Sequence, residues 1–236
     1  MTLRIACDLD GTISDMDGAL QREAEKVFGS EVRVRAVDSA LPETPDVEAD
    51  DDGGVKESDT SHETKTLTSR QMRQLWTHVA SIENFWISLR EIEAGSVARF
   101  AALRSQHGME VIFLTQRPDT AGEATQLQTQ RWLEAHGFEL PSVYVLQGSR
   151  GKAAAALGLD VVLDDRPENC LDVAAESKAQ PILVWRNPVD AIPPGAARLG
   201  IDIVFSMAEA FRRLEEMGLP AHRSTVLSRL RSAIGL

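Results

Sequence analysis

Along the second half of the chain, continuous apolar runs alternate with stretches whose apolar residues recur every three or four positions. The two periods predict a helix near Val97 to Gln106, a strand ending at Thr115, a helix through Ala121 to His136 and a strand at Val143 to Leu146. A helix from Lys152, a strand to Leu163, a helix around Asn169 to Ser177 and a strand at Ile182 to Trp185 follow. The chain opens in the same way, with Leu3 and Ile5 in a run that ends at Asp8 and Asp10. Alternation of this kind implies an α/β architecture, a doubly wound, Rossmann-like parallel sheet with right-handed crossovers and helices on both faces. The interval between the first strand and Val97 is more than such a core needs. Its two ends, Ala19 to Phe28 and Ser69 to Arg90, read as helices, the second carrying Leu75, Val79, Ile82, Phe85, Trp86 and Leu89 at helical spacing.

Composition alters this picture in one place. The net charge of −11 is concentrated between Asp38 and Thr66, where ten acids face two lysines and so supply eight of the excess negative charges. Proline and glycine punctuate the same stretch and large apolar residues are almost absent, which predicts a solvated, disordered acidic loop at about 38–66. The rest of the chain is close to neutral, which argues against a nucleic acid polymer as partner. No apolar run approaches the roughly 20 residues that span a bilayer, and the first strand begins without a cationic leader, so a cytoplasmic protein without membrane contact is expected. Cys7 and Cys170 sit in unrelated settings and read as reduced thiols. The five histidines show no metal-binding spacing. From Ala208 the chain reads as amphipathic helix, packing on the core or on a second subunit of a homodimer.

The candidate chemistry lies at the predicted strand tips. Asp8 and Asp10 occupy alternate positions, which on a strand aims them the same way. Two such carboxylates repel unless a cation or a shared proton relieves them, and the pair therefore reads as a magnesium site. The run Val111 to Leu114 ends in Thr115, Gln116 and Arg117, and the run Val161 to Leu163 ends in Asp164 and Asp165. Between them Gly151-Lys152 opens an alanine-rich helix and places a cation near its start.

Acid pair, hydroxyl, lysine and acid pair, in that order, resemble the four motifs of the haloacid dehalogenase-like hydrolases. The resemblance implies a doubly wound core in which the first-motif strand is central, flanked by the strands of the second and fourth motifs. It implies Asp8 as nucleophile, Asp10 as general acid and base, and Thr115, Gln116 and Lys152 as phosphate holders. It further implies Asp8, Asp10, Asp164 and Asp165 around Mg²⁺, with the direct ligand of the last two left open. Asp10 favours a phosphatase over a dehalogenase, because an alkoxide needs a proton on leaving and a halide does not. The division implied is a core at 1–15 and 96–236 with a small helical cap at 16–95.

Asn84-Phe85-Trp86, Phe113 to Pro118 and Leu163 to Pro167 are similar to stretches of the 5′(3′)-deoxyribonucleotidase-like branch, in which cap aromatics flank the base. The expected activity is hydrolysis of a small phosphorylated metabolite such as a nucleoside monophosphate. The alternatives are a sugar phosphate, or a silent module that only binds a phosphorylated ligand. Trp76, Phe85 and Trp86 are either base-stacking rings or members of the core. Arg117 and Arg166 either meet phosphate or pair with neighbouring acids.

Overall fold

A computed structural model of the chain describes residues 2–34 and 65–218. The acidic stretch lies outside the described residues apart from Lys65 and Thr66, as does the predicted helical tail beyond 218. Six strands, β1 (Arg4–Asp8), β4 (Glu110–Thr115), β5 (Ser142–Val145), β6 (Val161–Asp164), β7 (Gln180–Val184) and β8 (Asp202–Val204), form one parallel sheet in the order β5-β4-β1-β6-β7-β8. The first-motif strand is thus flanked by the strands of the second and fourth motifs.

Both faces of this sheet are apolar, as a parallel sheet requires. Ile5, Cys7, Val111, Phe113, Val161 and Leu163 face one side and join Phe100, Trp132, Phe211 and Leu214. Ala6, Ile112, Leu114 and Val162 face the other and meet Ala154 and Val173. The first side is covered by α3 (Ser96–His107), α4 (Thr125–Ala135) and α7 (Met207–Gly218), and the second by α5 (Arg150–Leu157) and α6 (Pro167–Glu176). A Cβ at Gly151 would collide with the Asp172 carbonyl oxygen, so this glycine lets α5 lie directly on α6.

Between β1 and α3 lie α1 (Met16–Phe28), α2 (Ser69–Ser81) and a 3₁₀ turn at Phe85–Ser88. Two short strands, β2 (Val32–Arg33) and β3 (Lys65–Thr66), pair in parallel at the mouth of the acidic stretch. Thr68 and Gln71 form a reciprocal capping box that starts α2. The single helix expected over Ser69 to Arg90 is broken at Ile82, which turns extended, and at Asn84, which is left-handed with φ 53°. The apolar spacing runs on past the break because the 3₁₀ turn presents Phe85 and Trp86 to the core that α2 covers. Helix α4 begins at Thr125 rather than Ala121, after a loop held by Asn84, whose Oδ1 accepts from the Glu123 N–H at 2.9 Å. No helix among the described residues is long and apolar enough to cross a membrane.

Candidate active site

Strand register brings the acids together. Cys7 pairs with Leu163 and Asp8 with Leu114, so Asp8 ends β1 level with Asp164 on one side and one residue short of Thr115 on the other. Residues 6 and 8 of β1 and 162 and 164 of β6 point to one face, the face that α5 covers. Asp8 and Asp164 are 6% and 0% exposed, and α5 delivers to them the guanidinium of Arg150, itself 2% exposed. Arg150 Nη2 donates to Asp8 Oδ1, and Nε donates to Asp164 Oδ2 at 3.2 Å. Asp164 also accepts from Asn169 Nδ2 at 3.0 Å and from the Arg166 N–H at 2.9 Å.

Lys152, expected at the phosphate, is exposed and takes no part in these ion pairs. Ser149 caps α5 by accepting from the Lys152 N–H at 3.2 Å, which makes Arg150 the first helical residue. Two residues on, a side chain points about 200° around the helix, so Arg150 and Lys152 cannot share a face.

Asp165 stands beside the pair. Its close approach to the loop after β1 depends on Gly11, whose φ is +86° and where a Cβ would collide with the Asp165 carboxylate. The Thr12 hydroxyl lies 3.4 Å from Asp8 Oδ2 and 3.2 Å from Asp165 Oδ1. Arg186 holds the same loop, donating to the Gly11 carbonyl at 2.7 Å and the Thr12 carbonyl at 2.9 Å while pairing with Glu93. Nothing in the spacing or composition around Arg186 marks this role.

Carboxylate oxygens of Asp8, Asp164 and Asp165 lie within 4.8 Å of one another. Fully ionised, three carboxylates against the one charge of Arg150 would leave an excess of two. Burial, then the neighbouring Asp164, pushes the Asp8 carboxyl well above the usual range, and Arg150 only partly opposes this. Burial raises Asp164 likewise and, together with Asp164, pushes Asp165 up to about 7. Burial also works against the charge of Arg150, but Asp8 and Asp164 reverse the effect and raise it. A compact set of hard oxygen donors with surplus negative charge suits a divalent cation such as Mg²⁺.

Asp10, expected to share the ion with Asp8, is turned elsewhere. Strand β1 ends at Asp8, the chain bends as the Thr12 and Ser14 N–H groups return to the Leu9 carbonyl, and strand alternation no longer applies. The Asp10 carboxylate lies in the fork of Arg117, accepting from Nε at 2.8 Å and Nη2 at 2.7 Å. It also accepts from the hydroxyls of Ser14 at 2.6 Å and Thr115 at 3.3 Å. Thr115 is therefore at the site but its hydroxyl serves Asp10, and Arg117 meets an acid. Gln116 is exposed, its amide donating to the Gly148 carbonyl at 3.1 Å.

Trp76, Phe85 and Trp86 are 8%, 2% and 0% exposed and belong to the apolar cluster that continues from the sheet. They present no open face on which a base could stack. A cleft of about 190 Å³ does open beside Asp165, lined by Gly11, Ser14, Asp15, Met16, Ile92 and Arg186 among others, none of them aromatic.

The sequence matches no protein-family model and no curated protein. The architecture is the α/β fold of the haloacid dehalogenase-like hydrolases, shared with structures of low sequence identity. One is a crystal structure of a HAD family hydrolase from Deinococcus radiodurans R1 with bound phosphate and sodium, at TM-score 0.57 and 17% identity, covering 93% of this chain and 98% of that one. Another, a predicted phosphatase from Clostridium acetobutylicum, superposes at TM-score 0.55 with 12% identity, covering 92% of this chain and 99% of that one.

Proposed function

We propose that this protein is a magnesium-dependent phosphomonoesterase that works through an aspartyl-phosphate, with Asp8 as nucleophile and Asp10 as general acid and base. One observation carries the reading: Asp8 is one of three clustered carboxylates with one cation, and that cation, Arg150, has a buried Nη1 with no hydrogen-bond partner among the described residues. A buried donor left unpaired costs about 1–3 kcal/mol, which a phosphate oxygen beside Asp8 would recover. The Deinococcus hydrolase of the same fold carries a bound phosphate, which supports an anionic ligand for this chain.

Magnesium, held by Asp8, Asp164 and Asp165, would neutralise charge on the phosphate oxygens. An Asp8 carboxylate oxygen bonds to phosphorus as the ester P–O bond breaks, and Asp10 gives its proton to the departing alkoxide. In the second half, Asp10 takes a proton from water as the water oxygen attacks phosphorus. The acyl phosphate bond breaks, phosphate leaves and Asp8 is restored. Arg150, not Lys152, is the cation that orients the transferring group.

The insertion at 16–95 serves as the cap over the core at 1–15 and 96–236. Of the two leaving-group classes, the small hydroxylated one is favoured over the nucleoside, because the rings that a base would need are buried. The cleft beside Asp165 holds roughly six water volumes, at about 30 Å³ each. A sugar phosphate of modest size suits that space.

Phosphate release from a panel of sugar phosphates and nucleotides, with and without Mg²⁺, tests the reading. Chelation should abolish turnover and Asp8→Asn should remove it while the fold remains. Full activity in Asp8→Asn, or in the chelated protein, would refute the proposal.

A further inference from the structure

We infer that Arg117 is a positioning residue for Asp10, and that Trp86 of the insertion and Trp132 of α4 are its seat. The inference rests on the phosphomonoesterase reading above, which gives Asp10 its proton-transfer role.

Arg117 has a fully buried side chain, so its charge and its N–H groups must be matched locally. Nε and Nη2 grip both oxygens of Asp10, Nη2 also donates to Ser14 Oγ at 2.9 Å, and Nη1 donates to Thr129 Oγ1 at 3.1 Å. Four of its five N–H donors are thus assigned within this arrangement. The guanidinium carbon lies 4.9 Å from the Trp86 ring centre and 5.9 Å from that of Trp132. Both rings are themselves pinned, Trp86 Nε1 donating to the Pro118 carbonyl at 3.0 Å and Trp132 Nε1 to the Leu89 carbonyl at 2.8 Å. Thr129 in turn donates to the Thr125 carbonyl at 2.8 Å.

A planar cation held against two fixed rings, with each arm of its fork assigned, has one orientation open to it. The carboxyl it grips therefore has one orientation too, kept apart from the cluster of Asp8, Asp164 and Asp165. General acid catalysis depends on that aim, since the proton must lie within hydrogen-bond reach of the departing oxygen. The Trp86 ring of the insertion and the Trp132 ring of α4 thus act on the leaving group through Arg117, without touching substrate.

The test reads kcat/KM on a series of substituted phenyl phosphates whose phenolates run from weakly to strongly basic, in the presence of Mg²⁺. Only poor leaving groups need a proton, so loss of a correctly aimed Asp10 steepens the dependence on leaving-group basicity. Wild type should show a shallow slope and Asp10→Asn a steep one. Arg117→Lys and Arg117→Gln should steepen it as well, losing roughly 10²-fold on the most basic leaving group and under about threefold on p-nitrophenyl phosphate. Guanidinium ion added to Arg117→Ala should restore the shallow slope.

A uniform loss across the series, or none, overturns the inference. Should the Arg117 variants fail to fold, Thr129→Val removes one partner of the guanidinium and Ser14→Ala removes one together with a donor to Asp10, and both leave the guanidinium in place. Unchanged slopes in both overturn the inference equally. Wild type without Mg²⁺-dependent phosphate release sinks the phosphatase reading and this inference together. An active wild type in which Asp10→Asn steepens the slope and the Arg117 variants do not sinks the inference alone.

Discussion

Replacing Arg150 with methionine removes the one guanidinium that, among the described residues, forms an ion pair with the buried Asp8 and Asp164. At 3.2 Å and an effective dielectric of 20, the gross attraction between Arg150 Nε and Asp164 is about 5 kcal/mol, and the contact to Asp8 adds to it. Desolvation of the three groups offsets much of this, but removing only the cation leaves the carboxylates desolvated, a change that costs about 3–5 kcal/mol in buried pairs. Methionine keeps most of the side-chain volume, so packing of α5 on α6 contributes little to the loss. Without the guanidinium both carboxyls rise still further, and each then carries a proton in the fold that the unfolded chain gives up above its ordinary carboxylate pKa. The deficit therefore grows with pH. Urea denaturation of chelated protein at pH 8 and pH 5 should show a loss of about 3–5 kcal/mol at the higher pH and a smaller one at the lower. Lys152→Met is the control: the side chain is exposed and unpaired with any acid of the site, and surface substitutions of this kind change stability by about 0.5 kcal/mol or less. A loss below about 1 kcal/mol in Arg150→Met at pH 8, or equal losses in the two variants, would refute the assignment of the buried cation.

Raised carboxyls also make metal binding readable in thermal melts. Asp165 sits at about 7 in the fold against 3.8 in an unfolded chain, so its favourable contribution is complete below about pH 4 and is lost as pH rises through 7. Asp8 and Asp164 shift in the same direction. Stability of the chelated protein should fall between pH 4 and 8, and saturating Mg²⁺ should raise Tm more at pH 8 than at pH 5; equal shifts would count against a shared carboxylate site. Gly151→Ala places a methyl against the Asp172 carbonyl and forces α5 from α6. Overpacking of this kind costs about 1–3 kcal/mol, and because α5 carries Arg150, phosphate release should fall more steeply than stability does; an unchanged kcat/KM would show that Arg150 does not depend on that contact.

The sheet was legible because β1, β4 and β6 are apolar on both faces and end in polar tips, and that double pattern survives without knowledge of neighbours. Strand parity also carried Asp8 and Asp164 to one face. It failed one step later: Asp10 is two residues from Asp8, but the strand stops at Asp8 and the loop closes back on Leu9, so spacing no longer fixes direction. Arg150 was missed because a basic residue near a helix start is ambiguous until the first helical position is known. Ser149 as N-cap, with Arg150, Gly151 and Ala154 on one buried face, was the available signal. The apolar spacing from Leu75 to Leu89 is that of one helix although the chain breaks at Asn84, since a 3₁₀ turn facing the same core preserves the period. Strands β2, β3 and β8 have two or three residues each and are too short for any pattern to mark them.

The two acids of the first motif end up anchored to opposite faces of the sheet, and this separation follows from the fold. Asp8 points toward α5 and is tied to Arg150, whose helix packs in the cluster around Ala6, Val162 and Val173. Asp10 turns toward the side of Trp86 and Trp132, which belong to the cluster around Cys7 and Phe113, and is tied to Arg117. A nucleophile must be charged to attack, whereas a general acid must carry a proton when the ester bond breaks, and two carboxylates sharing one cation would titrate as a unit. On the proposed mechanism, a separate guanidinium for each, one behind each face of the sheet, would let the two carboxylates be positioned independently. Changes packed under α5 should then act on attack at phosphorus, and changes packed under Trp86 on departure of the leaving group.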